Sequence, residues 1–223
     1  MTSVAVNFPY FFPYTGFYRL LRRADIFVSF DCVQFPRRGY VHRNQFPDSN
    51  GALRWFTLAL ARQQRDVLIR DIEFIDDIEQ YIAVQCRRFP CLRDEAAQQN
   101  PLVHRLLHPG APPAEFLRES LAATCQYLGI QCKIVSSSDL QIDSSLKGEH
   151  RVLAILEQLD AREYLNAPGG RGLYDERRFA EAGITPRFLL PYEGSPVSML
   201  YRILSEPTQS ILKDIDSQLQ WQT

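Results

Sequence analysis

The stretch SVAVNFPYFFPYTGFYRLLRRADIFVSFD (residues 3–31) decides how the rest of the chain is read. "SVAVNF" reads as a short strand. "YTGFYRLLRRA" puts Phe17, Leu20 and Leu21 on one helical face, and "DIFVSFD" reads as a second strand. A connection of this length fits a crossover between parallel strands, so the unit is read as βαβ.

Working outward, the periodicity changes twice. "RGYVHRNQF" (38–46), "LRWFTLAL" (53–60) and "IRDIEFI" (69–75) are β-type runs separated by "PDSNG" and "ARQQRD", which predicts hairpins. From residue 77 the pattern is helical through "IEQYIAVQCRRF" and "PAEFLRESLAATCQYLG", with Gly129 as the expected cap. Strands and helices then alternate: "QCKIVSSS", "GEHRVLAILEQLD", "EYLNAP", "DERRFAEAG", "ITPRFLL" and a final helix from about Thr208. Such alternation implies a parallel sheet. The expected fold is a single α/β domain over residues 1–223, three-layered and mainly parallel. A β-hairpin insertion follows its second strand (about 38–75), and a helical region runs over about 77–129.

Composition narrows the function. The chain has 223 residues, 45% of them apolar and 23% charged, and a formal net charge of −1. A chain this long buries enough surface to fold without metal or disulfide staples. Near neutrality argues against a nucleic-acid footprint over the whole surface, although it leaves room for a local basic site. The five cysteines (32, 86, 91, 125 and 132) include no CxxC pair, the N-terminus lacks a signal-peptide layout, and the apolar runs are broken by Arg, Asp or Pro. A reduced, cytoplasmic setting and no membrane span are therefore expected.

In a parallel sheet, ligand chemistry collects beyond the carboxyl ends of the strands. Those ends fall at Asn7 to Pro9, at Asp31 and Cys32, at the serines of "SSSDL" (136–140) and at "NAPGG" (166–170). In the first loop Tyr10 and Tyr14 are candidates to wall a pocket, while the neighbouring phenylalanines read as core. In "DCVQFPRRGYVHRNQF" the polar chemistry is densest. Asp31, Cys32, Gln34, Arg37, Arg38, His42, Arg43 and Asn44 offer a thiol, an imidazole and guanidinium forks suited to phosphate or carboxylate. Strand alternation would point His42 and Asn44 in one direction. Cys32 and His42 are read as a possible thiol–imidazole pair for acyl transfer, against the plainer reading of Cys32 as a small buried hydrophobe. No ligand spacing suggests a metal, and no cofactor is expected.

Two later segments add anion-binding character. "SLKGEHRV" places Lys147, Glu149, His150 and Arg151 at a helix start, where an anion or a simple serine cap would serve equally. "NAPGGRGLYDERRF" offers Gly169 and Gly170 between a strand and a helix, with Tyr174 nearby and Asp175 as the expected cap of the next helix. It is neither a Walker loop nor GxGxxG.

On these residues the sequence resembles the WbqC-like family. The likeness rests on "FPYFFPYTGFYRLL", "DCVQFPRRGY", "HRNQF" and "WFTLAL", and later on "YLGI", "SSSDL", "PGGRGLYD" and the "GI…RFL" strand, spanning most of residues 4–190. Family members show a QPYFFP-type opening, a DDVQ-type segment, then KRGW and NRN. Here Phe8 stands in place of the glutamine, Cys32 in place of the second acid, and Tyr40 and His42 in place of tryptophan and asparagine. The resemblance implies a bacterial biosynthetic enzyme that transfers an acyl or aminoacyl group to the amine of an amino sugar or natural-product intermediate. Its matching site positions are Tyr10, Asp31, Gln34, Arg38, Arg43, Asn44, Lys147, Gly169, Gly170, Tyr174 and Asp175.

The expected partners are thus a small-molecule amine acceptor and an acyl or aminoacyl donor, an aminoacyl-tRNA being one candidate. In that reading Asp31 or His42 takes a proton from the amine, and Arg43 or Asn44 stabilises the oxyanion. A nucleotide-binding or nucleotidyltransferase-like enzyme is the first alternative, weakened by the absence of histidine from "FPYTGF". A non-catalytic glycan- or ligand-binding protein is the second.

Overall fold

The computed structural model describes residues 2–222. The βαβ unit forms as the patterns predict: β1 (Ser3–Asn7), α1 (Thr15–Arg23) and β2 (Ile26–Ser29), with the two strands parallel. A hairpin follows, β3 (Arg43–Pro47) and β4 (Leu53–Thr57), and then α2 (Ile78–Cys86), α3 (Glu95–Gln98), α4 (Pro101–Leu107) and α5 (Pro113–Leu128). Gly129 ends α5 as expected. The chain returns to the sheet through β5 (Lys133–Ser136), α6 (Gly148–Gln158), β6 (Glu163–Asn166), α7 (Glu176–Glu181) and β7 (Thr185–Phe188), and closes with α8 (Met199–Ser205) and α9 (Thr208–Ser217).

The main sheet has five parallel strands in the order β5-β2-β1-β6-β7. From β1 the chain moves outward to β2 and β5, then crosses back to β6 and β7. The winding therefore reverses between β1 and β6.

Strand alternation sorts the side chains into two cores. Ala5, Phe27 and Leu165 face α1, α5, α8 and α9, whereas Val4, Val6, Val28 and Tyr164 face α6 and α7. That is the expected three-layer arrangement. Helix α1 commits nearly its whole surface: Phe17, Tyr18, Leu20 and Leu21 are all buried, each worth about 1.5–3 kcal/mol. Arg22 and Arg23 in its last turn complement the helix dipole.

Three local readings need correction. "IRDIEFI" is not a strand. It holds one 3-10 turn at Ile69–Asp71 and joins another segment through one isolated bridge, Leu60 to Phe74, with a second, Gln34 to Leu68, just before it. In "RGYVHRNQF" only the part from Arg43 onward pairs, so strand alternation does not govern Tyr40 and His42. Helix α8 went unpredicted, although Ser198 caps it by accepting from the Leu200 amide at 3.3 Å.

The hairpin anchors the first βα loop. Phe12 adopts a left-handed backbone conformation (φ 39°), a region bulky residues rarely occupy. Its carbonyl accepts from Asn44 Nδ2 at 2.6 Å, Ser198 Oγ at 3.0 Å and the Met199 amide at 3.3 Å, while Asn44 Nδ2 also reaches the Phe11 carbonyl at 3.0 Å. Asn44 is 1% exposed. This corrects its expected role: it fixes the aromatic loop and has no face left for a substrate.

Candidate functional site

At the carboxyl ends of β2 and β5 the chain encloses a cavity of about 470 Å³. Cys32, Gln34, Ser137, Ser138, Lys147 and Arg151 line it together with Arg70, and Val33, Leu68, Leu140, Ile142 and Leu146 supply an apolar wall. Four of the expected site residues (Cys32, Gln34, Lys147 and Arg151) thus share one space.

Asp31 sits behind that wall, 3% exposed. Its Oδ1 accepts from Ser137 Oγ at 2.7 Å and from the Ser138 amide at 2.9 Å, and its Oδ2 accepts from Ser138 Oγ at 2.6 Å. Such an engaged carboxylate orients its donors and does not meet a substrate amine, which corrects the role expected for it. Ser137 Oγ in turn accepts from the amides of Asp31 at 3.1 Å and Cys32 at 3.2 Å, and lies 3.0 Å from Cys32 Sγ. Two amides already fill its lone pairs, so its single proton lies between two acceptors, Asp31 Oδ1 and Cys32 Sγ. The result is a continuous line: thiol, hydroxyl, carboxylate.

Arg151 is 8% exposed, and its guanidinium donates to the carbonyls of Cys32 (3.0 Å), Leu146 (2.8 Å), Ser144 (2.9 Å) and Asp143 (3.3 Å). Contrary to expectation its forks are spent on the backbone. They pin the 143–146 loop to the segment that carries Cys32 and leave a positive charge in the wall. Lys147 is exposed at the N-cap position of α6, and Gly148 begins that helix with φ 54°, a conformation glycine adopts without strain. The start of an eleven-residue helix, a lysine and two arginines therefore line the cavity with the thiol, Arg70 also pairing with Asp71 at 3.5 Å, and no carboxylate lines it. The arrangement suits a substrate with an anionic group and an apolar part next to a nucleophile.

Burial pushes the Cys86, Cys91 and Cys132 thiols up to about 12, 11 and 12, and raises Cys125 as well, so they stay protonated as core residues. Among the described residues all five are free, and no three His, Cys, Asp or Glu side chains are grouped to hold a metal. No helix among those residues is long and apolar enough to cross a membrane.

The remaining expected site residues lie elsewhere. His42 and Cys32 do not pair: His42 lines a separate open cleft, edge-on to Phe35 at 5.1 Å. Burial, with the Arg43 charge beside it, lowers its pKa from 6.5 to about 4, so the ring is neutral near pH 7. Arg43 stacks over Trp55 at 4.4 Å and donates to the Gly39 carbonyl at 3.1 Å, away from any oxyanion at Cys32. Arg38 is exposed outside the cavity.

Tyr10 packs on Phe17 and Tyr40 at 5.4 and 5.9 Å, and Tyr14 packs on Tyr192 at 5.6 Å. Burial raises both phenols above their ordinary value, and neither lines the cavity.

Gly170 is explained by close packing: a Cβ there would lie 2.4 Å from Asn166 Nδ2. Gly169 has open space around it. Tyr174 accepts from Tyr164 at 3.0 Å within a chain that starts at Asn166, and Asp175 caps α7 by accepting from the Arg177 amide at 3.0 Å, as predicted.

Sequence reasoning noted the strand-end serines but not their partner. It missed Arg70, whose segment was read as a strand, and no spacing rule could have joined Ser137 to Asp31 across 106 positions.

The WbqC-like protein family matches residues 8–197, and the chain belongs to that family. It is 27% identical over 201 residues to the uncharacterized protein Rv1507c of Mycobacterium tuberculosis, covering 82% of this chain and 80% of that protein. No solved structure gives a significant match.

Proposed function

We propose that this WbqC-like protein is a biosynthetic acyl- or aminoacyltransferase that carries the acyl group on Cys32 and passes it to the amine of an amino sugar or natural-product intermediate. The observation that carries the reading is the line Cys32 Sγ to Ser137 Oγ (3.0 Å) to Asp31 Oδ1 (2.7 Å) at the wall of an otherwise cationic cavity.

In the first half-reaction Sγ attacks the donor carbonyl, its proton passes to Ser137 Oγ as that hydroxyl hands its own proton to the Asp31 carboxylate, and the proton returns by the same path to the departing carrier as the thioester forms. Asp31 holds Ser137 as acceptor. The α6 first turn and Lys147 supply positive potential for the developing oxyanion or for a phosphate on the substrate. In the second half the amine attacks the thioester, an amide forms and the thiol is restored. Val33, Leu140, Ile142 and Leu146, all half-buried, give the thioester an apolar wall between the halves.

Intact-protein mass spectra test this directly. With an acyl-thioester or aminoacyl-ester donor, the wild type gains the acyl mass, Cys32→Ser gains none, and Ser137→Ala gains it more slowly. Amide product without any adduct would overturn the covalent route in favour of direct transfer. Neither adduct nor product would favour a second reading, nucleotide chemistry. The observation behind that one is the sheet order, which has the reversal of a doubly wound nucleotide-binding sheet between β1 and β6.

A further inference from the structure

Separated from the cavity by the Val33–Phe35 segment is an open cleft of about 800 Å³ lined by Arg37, Arg62, Arg65 and His42. Val33 and Gln34 face the cavity while Phe35 faces the cleft, and Gln34 Nε2 donates to the Arg65 carbonyl at 2.9 Å, joining the two walls.

Three features set the cleft apart in a chain whose formal net charge is −1. No carboxylate lines it. Among the described residues none of its arginines forms an ion pair; Arg37 is held by the carbonyls of Gln63 and Gln64 at 3.1 and 2.7 Å, and Arg62 and Arg65 are exposed. His42 lines the cleft with its Nδ1 buried and without a hydrogen-bond partner, so the ring's hydrogen-bonding capacity is not used within the protein.

We propose that this cleft binds the phosphate groups of the acyl donor's carrier, so that the acyl end reaches Cys32 across the Gln34 wall. Guanidinium forks match phosphate oxygens, and a neutral imidazole N–H supplies the remaining donor. Burial keeps the ring neutral, which leaves it one N–H for this purpose. The word "donor" rests on the transfer reading, whereas phosphate binding does not. Two carriers share this chemistry: the 3′ end of an RNA and the nucleotide head of a coenzyme.

Fluorescence polarisation with a labelled single-stranded RNA ending in CCA and with a labelled adenosine 3′,5′-bisphosphate tests the proposal. At least one probe should saturate. The paired substitution Arg62→Gln and Arg65→Gln, at exposed positions, should weaken that probe at least about tenfold while leaving the melting temperature in place. Cys32→Ser should bind like the wild type. For RNA, three phosphate contacts predict a slope of about −2 in log K against log salt. Saturation by the RNA alone supports an RNA carrier, and saturation by the bisphosphate alone supports a coenzyme. No binding of either probe, or equal binding by the double variant, overturns the cleft. Absence of both an acyl adduct on Cys32 and an amide product would overturn the transfer reading and leave this measurement standing.

Discussion

The carboxyl end of the sheet is built in two ways within one molecule. Over β1 and β6 the polar groups satisfy one another. Asn7 Oδ1 accepts from the Phe8 amide at 2.8 Å, Asn166 Oδ1 accepts from the Ala167 amide at 2.7 Å, Asn166 Nδ2 donates to Tyr164 at 2.8 Å, and Gly170 packs against the same asparagine. Over β2 and β5 the same kinds of residue surround empty volume, with a thiol, a hydroxyl and a lysine at its wall. The winding reverses at the first place, where the rule for open α/β sheets puts a ligand, yet the cavity is at the second. Strand ends make a site available. Free volume lined by a thiol and an exposed lysine is what distinguishes the one that can bind.

The sharpest way to break this comparison is Cys32→Ser. We expect loss of the acyl adduct and at least about a hundredfold loss of turnover, because a serine hydroxyl is far less acidic and less nucleophilic than a thiol and needs a stronger base than this line supplies. Unchanged turnover would move the chemistry to the other strand ends. Asn44→Ala strips two carbonyls of the first loop of a buried donor. It should cost about 2–4 kcal/mol, or roughly 5–12 °C in thermal melting. On the satisfied side Gly170→Ala forces a methyl group into Asn166 and should cost about 1–3 kcal/mol, whereas Gly169→Ala, with open space around it, should be nearly silent in the same melts. Equal effects at the two glycines would contradict the packing account.

The smallest effect concerns pH. His42 is held near 4 in the fold against 6.5 when free, so below pH 6.5 the unfolded chain binds the proton more readily. Stability from this group is fully present above pH 6.5 and is lost as pH falls towards 4. Allowing for partial exposure of the ring, the loss is roughly 1–2 kcal/mol. Melting curves of His42→Gln between pH 7 and 4.5 should fall less steeply than those of the wild type.

The parallel sheet was legible in the sequence because period-2 runs alternate with helical ones, and because Val4 and Val6 on one face and Ala5 on the other satisfy two cores. The 69–75 run misled because Ile69 and Ile72 are buried through a turn and an isolated bridge, which leaves strand-like composition without a strand. Helix α8 carried its own signal, Ser198 before Leu200 and Ile203, and was hidden only by the proline-rich stretch ahead of it. Cys32, Gln34, Lys147 and Arg151 were found from their strand-end and helix-start positions. The serine–aspartate contact was not, since spacing along a chain says nothing about which two strand ends will become neighbours.

The carbonyl of Phe12 has a consequence for how the chain is made. Its three donors come from Asn44, Ser198 and Met199, the serine lying 186 positions downstream. At roughly 5–20 residues per second, translation needs about 10–40 s to deliver Ser198 after Phe12. Throughout that interval one of the most aromatic segments of the protein has at most Asn44 to hold it, without the donors of Ser198 and Met199. The loop begun among the first residues is therefore one of the last to be completed, and a nascent chain stalled before residue 198 presents a half-fastened aromatic strand end to chaperones and to other nascent chains.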